Sequence, residues 1–159
     1  LGTRDGMRVG LVWAGNPNHA RDRERTRSLT EFAPLTARRD VTFYALQKGE
    51  AVRQSPPGGM TLIDLGSEFT DMADTAAAML ALDLIISIDS APAHLAGALG
   101  IPVWVLLTRI PDWRWGLERE DSVWYPTMRL FRERDGWPEV FARVATALED
   151  FSPAATKNP

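Results

Sequence analysis

The chain has 159 residues, 45% hydrophobic and 25% charged, the make-up of one globular domain with its own core. Its net charge of −3 gives no electrostatic reason to expect nucleic acid or an anionic membrane as the main partner. Cysteines are absent, which excludes disulfides, thiolate catalysis and cysteine metal sites, and with only two histidines, His19 and His94, no metal is expected.

The chain opens Leu1-Gly2-Thr3 without an initiator methionine, and a strand-like run follows closely, so it reads as a piece of a longer protein. Arg8–Trp13 is a short apolar run ending in Ala14-Gly15-Asn16-Pro17, a buried strand followed by a turn. Asn18–Arg27 is read as a polar loop. Ser28-Leu29-Thr30-Glu31 has the spacing of a capping box and predicts a helix to about Ala37. Val41–Leu46 is a second strand, Lys48–Gln54 has room for one or two helical turns, and Met60–Leu65 is a third strand. The apolar spacing of Asp71–Leu82 predicts a helix. The continuous apolar run Leu84–Ile88 suits a central parallel strand covered on both faces. A helix over Ala91–Leu99 ends at Gly100, and Pro102–Leu107 is the next central strand. After the loop Thr108–Thr127 come a short strand, Met128–Phe131, and an amphipathic helix, Trp137–Phe151.

Strands and helices alternate throughout, which predicts an α/β Rossmann-like, doubly wound, mostly parallel sheet in one domain over residues 1–151. The polar, proline-bounded stretch 152–159 is expected to be a disordered tail. The longest apolar run, Leu80–Ile88, contains Asp83 and is far too short to span a membrane. No signal peptide is visible, so a cytoplasmic setting is expected.

In such sheets ligands bind at the carboxyl ends of the strands, which nominates three loops. In Ser87–Gly100, Ser90 stands where a helix N-cap belongs and Pro92 fits the first turn. Free N–H groups near Ala91 and the positive helix end suit a phosphate beside Asp89, with His94 about one turn in. The competing reading is an ordinary capped helix with a packing histidine. In Gly15-Asn16-Pro17 and the arginines at 21, 23, 25 and 27, glycine admits close backbone approach and an arginine can face a diphosphate. A solvated charged loop explains most of these arginines, with Arg27, nearest the capped helix, the least bland. Gln47-Lys48-Gly49-Glu50 is correctly positioned, although a turn accounts for it nearly as well. There is no G-x-G-x-x-G after a strand, no P-loop and no D-x-D pair for a divalent metal. A bound diphosphate would therefore rely on protein donors and helix dipoles.

Ile88-Asp89-Ser90-x-x-x-His94-Leu95-Ala96-Gly97-Ala98-Leu99-Gly100-x-Pro102 resembles the D-[ST]-x-x-x-H-L-A-x-A-x-x-x-P segment of glycosyltransferase family 9, the heptosyltransferase-like group. Together with Gly10–Pro17, Leu46–Gly49, Asp112–Trp115 and Trp124–Phe131, it resembles the C-terminal domain of bacterial tetratricopeptide-repeat glycosyltransferase-like proteins. The resemblance covers most of residues 8–150 and implies the carboxyl-terminal, donor-binding half of a GT-B fold. It implies that Asp89, Ser90, Ala91 and His94 contact the diphosphate and sugar of a nucleotide-sugar, that Arg27 meets the phosphates, and that Gln47 and Lys48 lie near the nucleoside. Ser90 and Ala91 depart from the threonine and glycine often found in heptosyltransferases, which bears on the donor's identity. The implied chemistry is glycosyl transfer without a metal or cofactor. The acceptor-activating base would come from the N-terminal GT-B half, so no catalytic residue is expected in this chain, whose further partners would include that half and tetratricopeptide repeats. The alternative is a noncatalytic module that senses a nucleotide-sugar or binds protein. A nucleotide-sugar epimerase fits less well, since only Asp89 is an obvious acidic cleft residue. The tryptophans of Pro111–Pro126 suit a nucleotide cover, a domain interface or simple packing over the sheet end.

Overall fold

The computed structural model describes residues 6–153. Of the tail expected at 152–159, residues 154–159 lie outside the described residues.

Strands β1 (Met7–Val12), β2 (Val41–Ala45), β3 (Leu62–Asp64), β4 (Leu84–Ile88), β5 (Val103–Leu107) and β6 (Met128–Arg132) form one six-stranded sheet in the order β3-β2-β1-β4-β5-β6. Every strand pairing is parallel, so the expected Rossmann-like α/β sheet is wholly rather than mostly parallel. Both faces are covered, which is why β4 and β5 are buried at every position and, Ser87 apart, apolar. Along them the side chains alternate. Leu84, Ile86, Trp104 and Leu106 enter one core with Phe32, Phe43, Phe141 and Val144. Ile85, Val103, Val105 and Leu107 enter the other with Met79, Ala93, Ala96 and Trp115.

Four α-helices accompany the sheet among the described residues: α1 (Asp22–Arg25), α2 (Met72–Leu80), α3 (Ala91–Ala98) and α4 (Trp137–Asp150). α4 packs on the 3₁₀ segment Leu29–Ala37, with the Phe32 and Phe141 rings edge to face at 4.8 Å. α2 is started by Asp71, whose carboxylate accepts the N–H groups of Ala73 and Asp74 at 2.8 and 3.0 Å. In β1 a Cβ at Gly10 would lie 2.8–2.9 Å from side-chain methyls of Ile85, Leu46 and Leu82, so a larger residue there would force these core side chains to shift. No helix among the described residues is long and apolar enough to cross a membrane.

Three elements differ from expectation. The Ser28 capping box forms, with Glu31 accepting the Ser28 N–H at 2.7 Å, but the turns behind it are 3₁₀ because Pro34 inside them has no N–H to give. The segment read as the loop Asn18–Arg27 contains α1. The third strand narrows to Leu62–Asp64 at the sheet edge.

Candidate functional site

The winding direction reverses between β1 and β4, and the loops leaving their carboxyl ends diverge there. A cavity of about 550 Å³ opens at this point, lined from the β1 side by His19, Arg21, Glu24 and Arg25. Asp89, Ser90, Ala91 and His94 line it after β4, and Thr108, Asp112 and Arg114 are among the lining residues after β5.

The β1 wall is assembled by one chain of hydrogen bonds. The Gly15 N–H donates to Thr26 Oγ1 at 2.9 Å, and the Thr26 hydroxyl donates to Asp22 Oδ2 at 2.8 Å. Arg25 Nε donates to Asp22 Oδ1 at 3.2 Å, and Arg25 Nη1 donates to the Asp89 carbonyl at 3.0 Å. Residue 15 is glycine because a Cβ there would sit 2.2 Å from the Asp22 carboxylate. Its close approach is thus to α1, within this wall. Arg21 spans to the β5 side, donating to Glu24 Oε2 at 2.7 Å and to the Ile110 carbonyl at 2.7 Å. Glu24, then more weakly Asp112 and Asp89, raise the Arg21 pKa. Asp112 is held below the usual carboxylate range, first by the Arg114 N–H and then by the Arg114 guanidinium, with His94 adding a smaller pull.

The β4 wall is the start of α3. Ser90 occupies the N-cap position with extended backbone, yet its hydroxyl does not cap the helix; it pairs with Ser87 Oγ at 3.0 Å. Pro92 has no N–H, and those of Ala93 and His94 already reach the Ser90 carbonyl at 3.0 and 3.5 Å. Ala91 is therefore the residue in the first turn of α3 whose N–H has no acceptor among the described residues. His94 stacks on Trp115 with ring centroids 5.1 Å apart, and its Nδ1 lies 3.1 Å from the Tyr125 hydroxyl. No hydrogen bond among the described residues engages the Asp89 carboxylate.

Asp89, Ser90, Ala91 and His94 are therefore brought together, and Gly15 supports the opposite wall. Four other expected residues lie elsewhere. Arg27 places its guanidinium 4.3 Å over the Trp137 ring and donates to the Arg23 and Glu24 carbonyls, because the chain leaves α1 toward α4. Its neighbour two residues back, Arg25, lines the cavity instead. Gln47 is buried and saturated: Oε1 accepts the Trp13 and Ala14 N–H groups, while Nε2 donates to the Ala14 and Lys48 carbonyls. Lys48 Nζ donates to the Phe69 carbonyl at 2.6 Å, away from the cavity. Asn16 is exposed and accepts the Asn18 N–H within its own turn.

Arg132 carried no signal in the sequence. It is 4% exposed in β6 and has carbonyl partners in place of a carboxylate: Nε donates to Arg119, Nη1 to Gly116 and Nη2 to Trp115. Burial lowers its pKa. These bonds fasten the 108–127 loop, and the tryptophans in it divide: Trp115 is buried, whereas Trp113 and Trp124 are 74% and 54% exposed. Among the described residues no three His, Asp or Glu side chains are grouped to hold a metal ion.

No family model matches the chain. It is 34% identical, over an alignment of 161 residues, to Protein FlbA of Caulobacter vibrioides, which covers 92% of this chain and 26% of that protein. The chain thus spans about a quarter of that relative. Its fold is similar to that of Escherichia coli ADP-heptose lipopolysaccharide heptosyltransferase II, with a TM-score of 0.62 and 15% identity, over 92% of this chain and 47% of that one. A second similar structure is the glycosyl transferase family 9 protein of Veillonella parvula, at a TM-score of 0.54 and 15% identity, over 96% of this chain and 40% of that one. The Rossmann-like sheet is therefore a fold shared with part of these glycosyltransferases.

Proposed function

We propose that this chain is the nucleotide-sugar-binding half of a GT-B glycosyltransferase and holds the donor's diphosphate in the cavity between β1 and β4. The observation that carries the reading is the convergence of Arg25, Arg114 and His94 with the Ala91 N–H on one cavity at the switch point of the sheet. A diphosphate leaving group gains negative charge as its bond to the sugar breaks. Cationic and N–H donors already fixed around it stabilise that charge without reorganising. With one free N–H at the start of α3, most of the neutralisation falls to the arginines, and no metal is assigned a part. The unengaged Asp89 carboxylate is suited to accept a hydroxyl of the sugar or ribose. A base for the acceptor would come from outside this chain, as would the partner half and any repeat domain. The resemblance to family 9 and the fold shared with heptosyltransferase II support the same reading.

Calorimetric titration with UDP, GDP, ADP and CDP, each in the presence of a chelator, tests it. Saturable binding of one of them is expected, along with a rise in unfolding free energy of about 2.7 kcal/mol at a hundredfold excess over Kd. If none of the four binds with or without magnesium, the donor-site reading is wrong.

A further inference from the structure

His94 is gripped on two sides by one loop. Its ring stacks on Trp115 at 5.1 Å and 25°, and Tyr125 stands edge-on at 5.7 Å with its hydroxyl 3.1 Å from Nδ1. Both partners belong to the segment between β5 and β6. The Tyr125 ring reaches this place because α3 carries glycine beneath it, where a Cβ at Gly97 would lie 2.5 Å from Tyr125 Cγ. The Trp115 end is fastened independently through Arg132.

The Tyr125 hydroxyl has no other hydrogen-bond partner among the described residues, and its proton is free to turn toward Nδ1, which then accepts. An imidazole whose Nδ1 accepts carries its proton on Nε2. Nε2 has no partner of its own among the described residues, and His94 lines the cavity. We propose that Tyr125 is a positioning residue: it fixes His94 in the Nε2–H tautomer, so the cavity is presented with a donor even when the imidazole is uncharged. The alternative tautomer would present a lone pair, which repels an anion. The consequence for ligand affinity rests on the diphosphate reading above, whereas the tautomer does not.

The tautomer is read directly by NMR of the ¹⁵N-labelled imidazole in the ligand-free chain, at a pH where His94 is neutral. Wild type is expected to show Nε2–H, and Tyr125→Phe a mixture of the two tautomers. Gly97→Ala, which pushes the ring off α3 while leaving the hydroxyl in place chemically, should mix them as well. Inorganic pyrophosphate should then bind roughly three- to tenfold more weakly to Tyr125→Phe, the loss of one neutral hydrogen bond's worth of positioning. A wild-type His94 protonated on Nδ1, or an unchanged tautomer in Tyr125→Phe, overturns the proposal whatever the chain binds. A pure Nε2–H signal in wild type that becomes mixed in the variant upholds it, even if pyrophosphate fails to bind and the diphosphate reading falls.

Discussion

The loops after β1 and after β2 look alike in the sequence. Each follows a buried strand, each is polar, and each offers a cation at the carboxyl edge of the sheet. In the structure they do opposite things. Gln47 after β2 spends both donors and both acceptor positions on the neighbouring backbone and ties the ends of β1 and β2 together. Lys48 turns outward to the Phe69 carbonyl. Arg25 after β1, anchored by Asp22, instead crosses toward β4 and lines the cavity. Location at a strand's carboxyl end is thus insufficient. What distinguishes the two loops is adjacency to the point where the chain reverses its winding, since only there do neighbouring loops part and leave a space.

The sharpest way to break the contrast is Gln47→Leu. It orphans the Trp13 and Ala14 N–H groups and two carbonyls in a buried setting, which should cost about 3 kcal/mol and lower Tm by roughly 6–12 °C for a domain of this size. Nucleoside diphosphate affinity of the folded protein should stay within about twofold. A large affinity loss at unchanged Tm would restore Gln47 to the ligand. Arg132→Met should cost nearly as much, about 2–3 kcal/mol by chemical denaturation, because carbonyls of the 108–127 loop lose their donor. Amide exchange should quicken around Trp115 and Gly116 more than in β1 or β2. Uniform exchange across the sheet would mean that Arg132 is not what fastens the loop.

Next comes the arginine pair, of which Arg25 lines the cavity and the expected Arg27 does not. Arg25→Gln should weaken diphosphate binding by about ten- to a hundredfold, the value of a charged hydrogen bond. Arg27→Ala should leave binding alone and cost about 0.5–1 kcal/mol through its lost stack on Trp137. The reverse pattern in calorimetry would return Arg27 to the phosphates.

That exchange shows where the sequence was legible and where it was not. The central strands were readable because burial on both faces makes them almost wholly apolar, Ser87 being the one polar residue of β4, which was placed to the residue at Leu84–Ile88. The Asp89–His94 turn was readable because an apolar strand, a short polar turn and Pro92 in a helix's first turn are all local signals. Arg27 was preferred to Arg25 for its nearness to the Ser28 cap, because the position of either depends on α1, one turn long and spelled Asp-Arg-Glu-Arg with no apolar face to reveal it. Arg132 was invisible for a different reason. A buried arginine satisfied by carbonyls depends on a distant loop folding over it, and nothing near position 132 records that.

The smallest expected effect tests the β2 side from the other direction. Asp74 accepts the N–H and the hydroxyl of Thr70, each at 2.7 Å, and these bonds, with a weaker contribution from Lys48, hold its pKa below the usual carboxylate value. A carboxyl depressed in the folded state contributes stability above its unfolded pKa of about 3.9 and loses it as pH falls through the folded value. Acid unfolding of Asp74→Ala should therefore be shallower than that of wild type below about pH 4, with the two curves parallel near neutrality. Lys48→Ala should shift the wild-type acid limb slightly in the same direction and leave diphosphate binding untouched. Lys48 would then belong to the electrostatics of the α2 start. A Lys48→Ala protein with a normal acid limb but weakened diphosphate binding would instead put the lysine back at the cavity and remove the distinction between the two loops.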